Sequence, residues 1–173
     1  MVVRQNLTGV PEAIKSPCRQ WQNQMNLFQQ QIAEIKIFYS HIVKPSDQIK
    51  VTSSQAVYDY VFPLWTDIDY RESFAILLLS RSMKILGLSW ISQGGTSKTV
   101  VDSKIIFQTA LKASASALIL CHNHPSGNLH PSDADLKITT KIKEGGKLLD
   151  IDVPDHLILT SESYLSLADE GYM

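Results

Sequence analysis

The residues best equipped for chemistry lie in one stretch, His122-Asn123-His124-Pro125-Ser126-Gly127-Asn128-Leu129-His130-Pro131-Ser132-Asp133-Ala134-Asp135. It follows a short apolar run, Ala117-Leu118-Ile119-Leu120-Cys121, which is bounded by turn residues and reads as a buried strand. Side chains alternate faces along a strand, so His122 and His124 point the same way and bring two imidazoles toward one point. Pro125, Gly127 and Pro131 punctuate the loop that follows; Ser132 then opens a helical pattern as an N-cap, and Asp135 falls in that helix's first turn. Two nitrogens and one carboxylate oxygen form the three-ligand set that leaves the fourth tetrahedral position of a zinc ion open. Catalytic zinc sites keep such a position, whereas structural sites are closed.

Each piece also has a plainer reading. Ser132-x-x-Asp135 has the form of a capping box with Asp in place of Glu, so both residues could serve only to satisfy free N–H groups at the helix start. A His-x-His pair can be accidental, and His130 can be a solvated loop residue. The conjunction favours a metal site, because strand, loop and helix come in the order that the geometry needs.

The pattern His122-x-His124-x7-Ser132-x-x-Asp135 resembles the JAMM motif of zinc-dependent metalloproteases and deubiquitinating isopeptidases. The fuller string, with Asp155-His156 and Ser166-Leu167 downstream, is similar to the bacterial RadC family within that superfamily, over about residues 33 to 173. The resemblance implies a JAMM/MPN fold, distantly deaminase-like, with zinc held by His122, His124 and Asp135. It also implies a glutamate at the start of an upstream strand as general base, here Glu72 in Arg71-Glu72-Ser73-Phe74, and a role for Ser132 in positioning and stabilising the reacting oxygen. Without the resemblance, a carboxylate at such a strand edge is usually just a solvated terminal residue. Relatives often carry Pro-Arg-Glu where this chain has Val101-Asp102-Ser103-Lys104, and a lysine such as Lys104 is not interchangeable with that arginine in whatever it does there.

The remaining elements must position these groups. Phe74 to Leu79 is the run of a central strand covered on both faces, and Ile85 to Ser92 pairs with it as a hairpin through Arg81-Ser82-Met83-Lys84, with Gly87 at a bulge. Upstream, Lys44 to Thr52 reads as a polar connection, and Ser53 or Ser54 caps a helix that Pro63 ends. Gly94-Gly95-Thr96 permits a sharp exit, after which Asp102 or Ser103 caps a helix with Ile105, Ile106, Ala110 and Leu111 on one side. The helix opened by Ser132 runs to about Glu144, burying Leu136, Ile138 and Ile142, with Gly145-Gly146 as its stop. Leu148 to Val153 and Leu157 to Thr160 read as strands, Ser163 to Ala168 as a closing helix. Asp155-His156 lies between those strands, either as an ordinary turn or as a partner that orients a metal ligand. The expected architecture is a single three-layer α/β domain, a mixed sheet with helices on both faces, spanning residues 33–173.

Residues 1–32 read as an extension whose Trp21, Met25, Phe28 and Ile32 recur at helical spacing, an amphipathic helix that packs on the domain or meets a partner. It is too short and too rich in glutamine to be the helix-hairpin-helix region that often precedes the catalytic domain in this family.

A chain of 173 residues with 44% hydrophobic and 19% charged content suits one soluble domain. It has neither a membrane-spanning run nor a signal peptide, so the cytoplasm is expected, and Cys18 and Cys121 are read as reduced thiols. A net charge of -1 lends no support to a phosphate-neutralising face, so DNA contact rests on the family association alone, and oligomerisation is left open. Zinc supplies a hydroxide near neutral pH, which suits hydrolysis of a peptide or isopeptide bond in a protein substrate. Three other readings compete. A cysteine hydrolase built on Cys121 is disfavoured because Cys121 should face the core, and a zinc deaminase because its Pro-Cys-x-x-Cys is absent. A non-enzymatic DNA-processing or protein-interaction module that keeps the metal site is the runner-up.

Overall fold

The structure is a computed structural model that describes residues 46–94 and 101–173. The amphipathic helix expected within residues 1–32, Cys18 and most of the Gly94-Gly95-Thr96 exit lie outside the described residues.

Two central strands carry the fold. β1 (Ser73–Leu79) and β3 (Ala117–Asn123) are buried at every position, and they pair antiparallel with Phe74 opposite His122. Their period of two divides the core. Ala75, Leu77, Leu79, Ile119 and Cys121 face one layer, while Phe74, Ile76, Leu78, Leu118 and Leu120 face the other. Each fully buried Leu or Ile contributes about 1.5–3 kcal/mol, and every side chain of both strands is buried, so these two strands anchor the domain.

Flanking strands extend this pair into a five-stranded mixed sheet. β2 (Ile85–Gln93) pairs antiparallel with the outer edge of β1, β4 (His156–Leu159) runs parallel to β3, and β5 (Tyr164–Ser166) pairs antiparallel with β4. The β1–β2 register slips between Leu78, opposite Gly87, and Leu79, opposite Ile85, which puts the bulge beside Gly87. Helices cover both faces. α1 (Ser54–Val61), capped by Ser53, sets Val57 and Val61 on the Cys121 face and passes into a 3-10 turn at Phe62–Leu64 containing Pro63. α2 (Ser103–Lys112) and α3 (Asp133–Leu148) supply Ile106, Ala110 and Ile142 to the other face. The sheet thus lies between helical layers, and α3 with its N-terminal end belongs to the layer that His122 faces.

Six local expectations are corrected. Lys44 to Thr52 is not merely a polar connection: Val51 is buried, its N–H donates to the Met83 carbonyl at 2.8 Å, and Lys50 bridges Lys84. On α2, Ile106 and Ala110 are buried four residues apart, whereas Ile105 and Leu111 lie off that stripe and are exposed. On α3, Leu136 and Ile138 are only half-buried, while Asp135, Thr139 and Ile142 take the inner stripe.

Gly145 and Gly146 do not end α3, which continues to Leu148 and leaves no strand over 148–153. The glycines serve close approach instead of capping: a Cβ on Gly146 would sit 2.4 Å from the Ile151 carbonyl oxygen, and one on Gly145 would sit 2.7 Å from the Phe107 ring. Finally, Tyr164 to Ser166 is a strand, because its backbone completes the β4 ladder and the buried Asp155 carboxylate accepts the Ser166 hydroxyl at 2.7 Å.

Candidate metal centre

β3 delivers His122 on the α3 face, and the ladder with β4 continues one residue further, where the His124 N–H donates to the Leu159 carbonyl at 2.9 Å. The chain then turns at Gly127, whose φ of +77° is a conformation open to glycine, and its N–H closes the turn on the His124 carbonyl at 3.0 Å. Ser132 caps α3 and brings Asp135 back against the strand end. One donor atom from each of His122, His124 and Asp135 lies within 4.8 Å of the other two.

The capping box expected of Ser132-x-x-Asp135 forms, and the carboxylate that completes it also lies against both histidines. Oδ2 accepts the Ser132 N–H and hydroxyl, each at 2.7 Å, and the Ser132 Oγ accepts the Asp135 N–H at 3.2 Å, completing a capping box. Oδ1 lies 3.2 Å from His122 Nε2. The cap therefore fixes the rotamer that sets Oδ1 beside His122 and leaves the capping oxygen Oδ2 3.6 Å from His124 Nε2.

The histidine rings are aimed by their outer nitrogens. His124 Nδ1 donates to the Asn128 carbonyl at 2.6 Å, which leaves the Nε2 lone pair bare, and His122 Nδ1 lies 2.8 Å from His156 Nε2. The two inner Nε2 atoms are 2.9 Å apart with a carboxylate oxygen beside them. Such a set of converging lone pairs fits a cation bound between them. Phe74 stacks on His122 at 5.9 Å and meets His156 edge-on at 5.6 Å, giving the pair an apolar floor.

Glu72 stands immediately before β1 and is half-buried. Glu72 lies two residues before Phe74, whose partner across the ladder is His122, and its charge acts on the His124 ring. Asn123, between the two histidines and on the other face, holds this arrangement. Its side-chain oxygen accepts the Ser73 N–H at 2.7 Å and its NH₂ donates to the Arg71 carbonyl at 2.9 Å and to Ile68 at 2.6 Å. The peptide groups on both sides of Glu72 are thus tied to the histidine strand. Sequence reasoning passed over Asn123, although a buried amide between two candidate ligands was itself a signal.

His130 is exposed and apart from the cluster, as a solvated loop residue would be. Cys121 faces the opposite layer from His122, and burial, with the nearby Asp155 charge, pushes its thiol well above the usual range, so it offers no nucleophile. Asp155 is an anchor of the fold: it accepts the His156 and Ala168 N–H groups at 2.7 and 3.1 Å besides the Ser166 hydroxyl.

Residues 51–172 match the family described as RadC-like JAB domain. The chain belongs to the RadC-like JAB domain family. Similar proteins include a UPF0758 protein of Flavobacterium johnsoniae, 43% identical over 122 residues that cover 70% of this chain and 53% of that protein. A UPF0758 protein of Porphyromonas gingivalis is 39% identical over 124 residues, covering 71% and 54%, and one of Methanosarcina mazei is 38% identical over 124 residues, covering 72% and 54%. The chain spans about half the length of the curated relatives it matches. Among the described residues of this RadC-like domain, no helix is long and apolar enough to cross a membrane.

The electrostatics give a pH dependence with a definite sign. The hydrogen bond that the His124 ring donates to the Asp135 carboxylate raises the His124 pKa above its ordinary value against the opposing effect of burial. Burial opposes ionisation of Asp135, but the flanking His122 and His124, with the Ser132 hydroxyl, hold its carboxyl well below the usual range. A metal ion held at this cluster would compete with a proton for His124 Nε2, whereas Asp135 stays ionised. Metal affinity is therefore expected to level off at alkaline pH and to fall as pH drops through the raised His124 value, as a divalent-metal titration at several pH values will test. Constant affinity from about pH 6 to pH 9, a span that covers ordinary imidazole titration, would contradict it.

Proposed function

We propose that this domain is a zinc-dependent hydrolase of the JAMM type, acting on a peptide or isopeptide bond. The observation that supports the reading best is the convergence of His122 Nε2, His124 Nε2 and the Asp135 carboxylate, with the Glu72 charge acting on His124. A neutral-imidazole pair with one carboxylate suits zinc among the common divalent ions. Zinc bound there would supply Lewis acidity, polarising a carbonyl and making a water molecule acidic enough to serve as nucleophile near neutral pH.

The remaining work falls to the protein. Glu72 takes the proton from the attacking water at its carboxylate and returns it to the leaving amine, which departs as a neutral group. Ser132 sits at the N-terminus of a sixteen-residue helix, where the partial positive charge favours an anion. Its hydroxyl, which donates to Asp135 here, rotates to donate to the oxyanion that develops on the scissile carbonyl. Phe74 beneath the rings limits water to the open side.

A panel of peptides and lysine-linked isopeptides, scored for newly released amine, tests this reading. Release is expected to stop with a chelator and return with added zinc. A metal-loaded protein that cleaves none of the panel, yet binds DNA with steep salt dependence, would favour a DNA-processing module instead.

A further inference from the structure

The His122 ring is held by a chain of hydrogen bonds that begins on another residue of the same cluster. Thr139, one turn along α3 from Asp135, donates its hydroxyl proton to the Asp135 backbone carbonyl at 2.5 Å. A hydroxyl has a single proton, so at its second contact, 2.6 Å from His156 Nδ1, Thr139 Oγ1 must accept. His156 Nδ1 therefore carries hydrogen. In the neutral ring its Nε2 is then an acceptor, and the partner at 2.8 Å, His122 Nδ1, must be the donor. The proton on Nδ1 leaves His122 Nε2 as a bare lone pair directed at His124 and Asp135. All three groups in the chain are buried: His122 is 1% exposed, His156 0% and Thr139 3%, so no solvent competes for these bonds.

We propose that Thr139 and His156 are positioning residues that fix the tautomer and the orientation of His122, preparing its Nε2 for a metal ion before the ion arrives. The inference rests on the reading of His122 as a metal ligand and adds to it the source of that nitrogen's availability. The chain starts on the backbone of Asp135 and ends on the ring of His122, so it couples two members of the cluster through α3 and β4. His124 obtains the same tautomer more simply, from the Asn128 carbonyl. A backbone acceptor does not reach His122 Nδ1, and His156, at the start of β4 and on the face of Leu120, takes its place.

Two readouts on the full chain test this. The first is the ¹⁵N spectrum of the histidine rings in metal-free protein at alkaline pH, where His122 and His156 are expected as Nδ1–H tautomers. The second is affinity for zinc alone, by competition with a chromophoric chelator, in the wild type, His156→Ala, Thr139→Val and Thr139→Ser. Loss of an outer partner should weaken zinc binding about 10–100-fold in the first two variants, and Thr139→Ser, which restores the hydroxyl, should recover most of it. Thr139→Val nearly preserves shape, so it decides the matter if His156→Ala does not fold. A His122 proton on Nε2 in the metal-free wild type, or wild-type zinc affinity in Thr139→Val, overturns the proposal. A wild type that binds no zinc would instead sink the metal reading, while the tautomers of the metal-free protein would still decide the hydrogen-bond chain.

Discussion

Glu72→Gln is expected to keep its metal and to lose turnover by about 10²–10⁴-fold, the range for a positioned general acid–base group. The substitution is nearly isosteric and removes the carboxylate's charge together with its capacity to take a proton. The main chain at this position does not depend on the carboxylate, since the Glu72 carbonyl accepts the Gly94 N–H at 2.9 Å and Asn123 holds the peptide groups on both sides. Metal content should therefore match the wild type, and the defect should appear in kcat rather than in folding. Elemental analysis and turnover on the same preparation check both halves. A variant with normal turnover would remove Glu72 from the mechanism.

Asp135→Asn separates the two duties of that side chain. An asparagine oxygen can still accept the Ser132 N–H, so the α3 cap and the fold should survive, at a cost within the ~0.5–2 kcal/mol that caps are worth. The charged oxygen 3.2 Å from His122 would be gone. Metal affinity is expected to fall by more than the roughly 10–100-fold that accompanies loss of an outer partner, because a donor atom itself is replaced by a weaker one. Zinc titration together with a thermal melt measures the two effects side by side. Unchanged affinity with a lowered melting temperature would reduce Asp135 to a helix cap.

The cluster was legible in the sequence because each of its parts obeys a local rule. A spacing of two on a strand aligns His122 with His124, and a Ser-x-x-Asp after a proline loop places Asp135 in a first turn. The hairpin and the double coverage of β1 were readable for the same reason, from a run with no polar face. What failed was decided by distant contacts. Gly145-Gly146 looks like a helix stop, yet Ile151 and Phe107 lie so close that only glycine lets α3 pass them. Ser163 to Ala168 has no strong period, and the free edge of β4 together with Asp155 determined that it is a strand. The bonds of Asn123 and the partnership of Thr139, His156 and His122 join residues far apart in the chain, and no spacing rule reaches them.

The central claim is that His122, His124 and Asp135 hold one catalytic metal ion. Elemental analysis of freshly purified protein, with His122→Ala prepared in parallel, tests it most directly. About one zinc per chain in the wild type and none in the variant is the expected result, as three protein ligands define one site. A wild type that remains free of metal after incubation with zinc, or a His122→Ala variant that retains the wild-type complement, would contradict it.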